Sequence, residues 1–142
     1  MTDIALIRKR LRHTMDAARR EAAGRRERTD IARQAFETFL EGTATPVFHA
    51  FANALRGEGL PFEVMTPSDA VRLVPDRNRD EGITLELDGT SDPPVVMISV
   101  TKGRGSRMTR TERPVKDGAP ADQILDEDLV ALLLEEIKPW LV

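Results

Sequence analysis

Asp76, Asn78, Asp80 and Glu81 place oxygen donors over a short stretch that runs into Gly82-Ile83. Oxygen donors at alternate positions, followed by a glycine, are how a calcium loop wraps its ion. The stretch departs from that pattern in three ways. The glycine falls one place late. Leu87 holds the position of the bidentate glutamate, with Glu86 one place early, and Arg77 and Arg79 stand between the donors. The segment also links two strand-like stretches, whereas a calcium loop of this kind links two helices. It reads as a polar hairpin loop, and no metal is assigned to it.

Lys102-Gly103-Arg104-Gly105-Ser106-Arg107 has the composition of a phosphate-binding loop. Such a loop needs a helix directly after it, so that backbone N–H groups and the helix dipole converge on the anion. The residues that follow alternate like a strand, so a glycine-kinked turn or bulge is the better reading. His13 and His49 are the only histidines and there is no cysteine, so neither HExxH nor Cys-based zinc spacing exists. Ser68, Ser91, Ser99 and Ser106 stand outside any nucleophile elbow. Glu135 and Glu136 are neighbours on a helical pattern, so their carboxylates diverge. The sequence therefore supports no catalytic residue and no cofactor. An anion- or metal-dependent enzyme ranks third among the functional readings.

Charge is the stronger signal. The net value of −3 hides four blocks. Residues 1–35 hold ten Lys/Arg against five Asp/Glu, and 102–116 hold six against one, so each block is +5. Residues 36–101 are −7 and 117–142 are −6. The basic blocks call for an anionic partner surface, either nucleic-acid phosphates or an acidic protein. Five Phe, one Trp and no Tyr leave little with which to stack bases.

These residues must be carried by regular elements. Asp3 caps a first helix in which Ile4, Ile7 and Leu11 share one face, extended weakly by Met15, Ala18 and Ala22, with Gly24 as an interruption. Asp30 caps a second helix bearing Ile31, Ala35, Phe36, Phe39 and Leu40, ended near Gly42. Thr45-Pro46 opens a third, with Phe48, Phe51, Ala52 and Leu55 as its buried stripe. The period then changes to two. Phe62-Val64-Met65, Val71-Leu73, Ile83-Leu85-Leu87 and Val96-Ile98-Val100 read as strands, the last of them central because Val95 and Met97 are apolar on its other face. Arg107 to Val115 reads as a polar fifth strand at an edge, or as a continuation of the fourth past a bulge. Asp126 caps a final helix with Leu129, Val130, Leu133, Leu134 and Ile137 on its core face, and Pro139 leaves Trp140-Leu141-Val142 as an apolar tail.

The fold class expected is α+β: N-terminal helices, a four- or five-stranded mostly antiparallel meander, and a C-terminal helix packed on the sheet. Residues 1–29 form a basic helical arm and 30–142 a single domain. The longest apolar run, Leu129 to Leu134, is far short of a membrane span, and Arg8, Lys9 and Arg10 interrupt any leader-like stretch at the N-terminus. A cytoplasmic protein with no membrane partner is expected. The thin stripe of Ile4, Ile7 and Leu11 and the Trp140 tail ask for cover, which makes a non-catalytic homo-oligomeric interaction module, a dimer, the first functional reading. The alternative is a nucleic-acid-binding accessory protein using the arm and Arg104, Arg107 and Arg110.

Overall fold

Helix-forming residues dominate the first third of the chain, and in the computed structural model, which describes residues 2–142, they form one long helix, α1, from Ile4 to Phe39. Asp3 caps it, its carboxylate accepting the backbone N–H of Ala5 at 2.9 Å. The interruption expected at Gly24 and the cap expected at Asp30 are both corrected, because the helix passes through them without a break. A lone glycine costs a helix only about 1 kcal/mol. Ile31, Ala35 and Phe36 continue the helical period beyond it, so the turn is carried through.

The end expected at Gly42 is corrected too. Leu40–Ala44 form a π-helical turn that leads without interruption into α2, Thr45–Gly57. Pro46 has no N–H to give to the carbonyl four residues back. The wider turn just before it absorbs that mismatch, as such bulges do where a helix must bend. Thr45 is in the helical region and is not an extended cap.

The sheet is a meander of five antiparallel strands in chain order: β1 Phe62–Met65, β2 Ala70–Pro75, β3 Gly82–Asp88, β4 Val95–Arg104 and β5 Arg107–Pro114. Alternation decides which side is covered. Val71, Leu85 and Ile98 stand opposite one another across β2–β4, as do Leu73, Ile83 and Val100. This face packs on Phe36 and Phe39 of α1, Phe48, Ala52 and Leu55 of α2, and Leu129 and Leu133 of α3, Asp126–Glu136. The other face carries Arg72, Thr84, Ser99 and Glu112 in one cross-strand row, and no helix of the described residues lies over it. One covered and one open face is the normal state of an antiparallel sheet. Strand β4 is central, as expected, lying between β3 and β5; on its second face Val95 and Met97 are half-buried and Ser99 is buried.

β5 is an edge strand, exposed along nearly its whole length. A two-residue turn, Gly105-Ser106, joins it to β4, and Gly105 sits at φ +60°, as the first central residue of a type II′ turn requires. Its charge discourages edge-to-edge pairing. At the start of α3 the Asp128 carboxylate reaches back to the Leu125 N–H at 2.9 Å and holds Lys116 at 3.1 Å, so Asp128, and not Asp126, supplies the capping oxygen. Those two donors hold the Asp128 carboxyl below its ordinary value. No helix among the described residues is long and apolar enough to cross a membrane.

Candidate interaction site on the N-terminal helix

A helix of 36 residues is about 54 Å long at 1.5 Å per residue. Only its last part touches the sheet: Phe36 and Phe39 are its buried residues. From Thr2 to Ala23 every side chain is exposed, so the first half of α1 projects as a bare rod. Ile4 is 72% exposed, Leu11 54% and Ile7 48%, and Leu6 and Met15 are similar. The three expected stripe residues do share one face, and none of the described residues covers them. Ion pairs on the rod are few and local: Arg19 with Asp16, and Arg25 with Glu21 at 4.0 Å. Among the described residues, Arg8, Lys9, Arg10 and Arg12 have no carboxylate partner.

The direction of the rod is set by a clamp. Arg28 donates through Nε and Nη2 to the two oxygens of Asp92, each at 2.9 Å, and Arg25 approaches the same carboxylate at 3.6 Å. The two-pronged hydrogen bond from Arg28 holds the Asp92 carboxyl below its usual range, and Asp92 raises the guanidinium in return. Both side chains are substantially exposed, so this pair contributes orientation more than stability.

Beside the clamp lies an open apolar groove of about 690 Å³ between α1, the β3–β4 connection and residues 118–122. Ile31, Ala35, Leu87, Pro93, Val96 and Pro120 are among its walls. Ile31, expected on a core face, is instead 62% exposed there. Sequence reading missed this groove because its walls come from three distant segments. The local sign was present in two apolar connecting stretches, Pro93-Pro94 and Ala119-Pro120, where loops are ordinarily polar.

Trp140 does not join the arm. Its ring packs edge-on against Phe62 at 5.8 Å, and its indole N–H donates to Glu81 at 3.1 Å. Glu81 is the hub of that corner. Its carboxylate also accepts the Gly103 N–H at 2.6 Å and the Lys102 ammonium at 3.2 Å, and the residue is only 8% exposed. Burial alone would push this carboxyl up. The donors from Gly103, Trp140 and Lys102 outweigh it and bring it below the ordinary value. The oxygen donors of 76–81 are thus divided: Glu81 points to β4, Asn78 accepts the Asp80 N–H, and Arg79 pairs with Glu63. The Lys102–Arg107 stretch is a hairpin tip that runs on into β5 and not into a helix. His13 and His49 are both exposed.

Arg104 and Arg107 face each other across the hairpin turn, and Arg110 is already engaged by Glu86 at 3.7 Å and Glu112 at 2.9 Å. Arg113 of the same strand pairs with Glu136 of α3. Two of the three β5 arginines are therefore answered within the chain. Comparison with known protein families, with curated proteins and with solved structures finds no match. The molecule is a mixed α+β protein: a long N-terminal helix, a five-stranded antiparallel sheet and a C-terminal helix. Its distinguishing feature is the projecting half of α1.

Proposed function

We propose that this chain is a non-catalytic interaction module that forms a homodimer through the projecting half of α1. The observation that carries the reading is the rod itself. An isolated helix with so thin an apolar stripe is marginal in water. Withdrawing the exposed parts of Ile4, Ile7, Leu11 and Met15 from water stabilises an assembly by about 1–2 kcal/mol per side chain, at roughly 25 cal/mol per Å². A cytoplasmic location goes with this reading.

The test uses the full-length chain. Ile7→Glu with Leu11→Glu puts two carboxylates on the stripe and touches nothing in the sheet-packed core. Light scattering is expected to show a dimer for the parent chain and a monomer for the double variant. Emission from Trp140, far from the arm, should be native in both. A dimer that persists in the double variant would sink the reading.

A second reading, nucleic-acid binding, is favoured by Arg8, Lys9, Arg10 and Arg12, which lack a carboxylate partner among the described residues. Such binding would rest on phosphate contacts, so log K would fall by about 0.9 per phosphate neutralised as log salt rises. Fluorescence anisotropy with mixed-sequence DNA and RNA at two salt concentrations separates the readings. The expected outcome is no binding as tight as micromolar near physiological salt, because Glu86, Glu112 and Glu136 stand among the β5 arginines. Micromolar binding that is lost when Arg104, Arg107 and Arg110, or Arg8, Lys9, Arg10 and Arg12, become Ala would put the nucleic-acid reading first.

A further inference from the structure

We propose that the projecting half of α1 docks on the outer face of α3 in a second copy of the chain, the two helices running antiparallel. This rests on the dimer reading above and names the surface that the arm meets.

The receiving face is apolar at its centre and acidic at its rim. Val130 and Leu134, one turn apart, are 40% and 55% exposed and lie outside the packed core. Glu127 lies one turn before Val130, and Ala131 one turn before Leu134, so the four side chains share one side of the helix. The ion pairs of α3 use Asp128, Glu135 and Glu136, and they leave Asp126 and Glu127 without a cation among the described residues.

The arm carries the converse pattern. Ile4, Ile7, Leu11 and Met15 run along its centre, all exposed. Arg8 and Arg12 flank them on one side, with no carboxylate partner among the described residues. An exposed apolar stripe edged by free cations thus has its complement in an exposed apolar patch edged by free carboxylates, the arrangement that selects one partner surface over others. The lengths agree as well. Ile4 to Met15 spans about 16 Å, and so do the 11 residues of α3. Because α1 runs unbroken from Ile4 to Phe39, the arm cannot fold back onto α3 of its own chain. The α3 within its reach belongs to another copy.

Antiparallel packing has a register in which both patterns agree. With Ile7 level with Leu134, Leu11 comes level with Val130. Arg12 is then level with Leu129, about 3 Å along the axis from Glu127. Corresponding flanks meet in an antiparallel pair, so Arg8 and Arg12 stand over the side that bears Glu127 and Ala131. Parallel packing would turn them toward the core side of α3, away from Glu127. Lys138 is the only cation of residues 117–142, and Glu135 holds it. Residues 16–23, about 12 Å of helix, carry each arm from its own body to the other. The contact is made twice about a two-fold axis, so the assembly closes at two.

The chain has no cysteine, so introduced thiols report proximity without background. Chains carrying Leu11→Cys are mixed with chains carrying Val130→Cys, both exposed positions, and treated with a short bis-maleimide. The expected main product joins the two kinds of chain, because packed helices lie about 8–10 Å apart. Predominance of a product joining two Leu11→Cys chains would place arm on arm, overturning the docking while leaving the dimer intact. A dimer that gives neither product would also overturn it. Charge reversal is an independent check. Arg12→Glu and Glu127→Arg should each raise the dimer Kd about threefold or more, and the chain carrying both should return to the parent value. Recovery of that kind cannot come from a damaged fold. No weakening, or weakening without recovery, would count against the pair. Leu134→Glu should raise the Kd about tenfold or more, since it buries a carboxylate in the contact. Leu134 is free in the dissociated chain, so the fold itself should be unchanged. An unchanged Kd in Leu134→Glu, for a dimer that Ile7→Glu with Leu11→Glu does dissociate, would overturn this inference and keep the dimer reading. A parent chain that is monomeric in light scattering removes both.

Discussion

Glu81→Ala is expected to destabilise the protein by about 3 kcal/mol and to release the C-terminal turn, because it strands two N–H donors and leaves the Lys102 ammonium with only the Gly103 carbonyl. The Gly103 N–H and the Trp140 indole N–H both end on this one carboxylate, which also pairs with the Lys102 ammonium. Among the described residues no other acceptor answers the indole N–H. Trp140 is the sole tryptophan, so its emission reports the corner directly. In the variant it should shift to longer wavelength at denaturant concentrations where the sheet is still folded. Glu81→Gln keeps one acceptor oxygen and should fall between the two. Unchanged emission and stability in Glu81→Ala would mean that the corner is held by the packing of Trp140 on Phe62 alone.

The same carboxylate makes a prediction in pH. Its folded-state value lies below the ordinary 4.5, so its contribution is fully present above about pH 4.5. That contribution is lost as pH falls from there through the folded value. The stability gap between the parent chain and Glu81→Gln should therefore be widest near neutrality and should narrow below pH 4.5. A gap that widened on acidification would have the wrong sign. Gly103 belongs to the same device. A Cβ there would stand 3.0 Å from the Glu81 carboxylate and 3.2 Å from the Met108 sulfur, so the approach of Glu81 to the β4 backbone depends on glycine.

The second large effect lies in α3. Leu133→Ala is expected to cost about 2–5 kcal/mol, the range for a large-to-small change in a packed core. Leu133 is fully buried in the main cluster, one helical turn from Leu129 and Ile137. Its neighbour provides the control. Leu134 is 55% exposed, so Leu134→Ala should change stability by no more than about 0.5 kcal/mol. Chemical denaturation of the two variants reads the phase of the helix. Equal midpoints would mean that the face assignment of α3 is wrong.

That phase was only partly legible in the sequence. Leu129, Val130, Leu133, Leu134 and Ile137 form one broad apolar arc, but only Leu129, Leu132, Leu133 and Ile137 are buried. Val130 and Leu134 lie outside the contact. Periodicity reports which residues share a face. How much of that face is covered depends on the curvature of the sheet beneath it. The expectation that β4 is central is met, since it pairs with β3 on one side and β5 on the other. Val95 and Met97 on its second face are half-buried.

The helical third of the chain shows the opposite error. Gly24, Asp30, Gly42 and Thr45-Pro46 are each sound local stop or start signals, and none of them breaks the run from Ile4 to Gly57. Each is worth about 1 kcal/mol, apart from the proline. Continuous burial of Phe36, Phe39, Ala44, Phe48 and Ala52 in one core outweighs them. Even Pro46 is accommodated, by a widened turn and not by a break.

Residue period, short connections and charge were enough to establish the α+β class, the meander and the shared face of Ile4, Ile7 and Leu11, but not to separate a fifth edge strand from a continuation of the fourth. Each of those signals acts over a few neighbours, so it is written locally in the chain. Three features needed the folded molecule: α1 as a single rod aimed by the Arg28–Asp92 clamp, Trp140 docked on Glu81 and Phe62, and a groove opening beside Ile31. Each of these joins residues far apart in the chain. Their energies depend on where the folded backbone delivers a carboxylate, a ring or a loop, and a one-dimensional pattern carries no record of that.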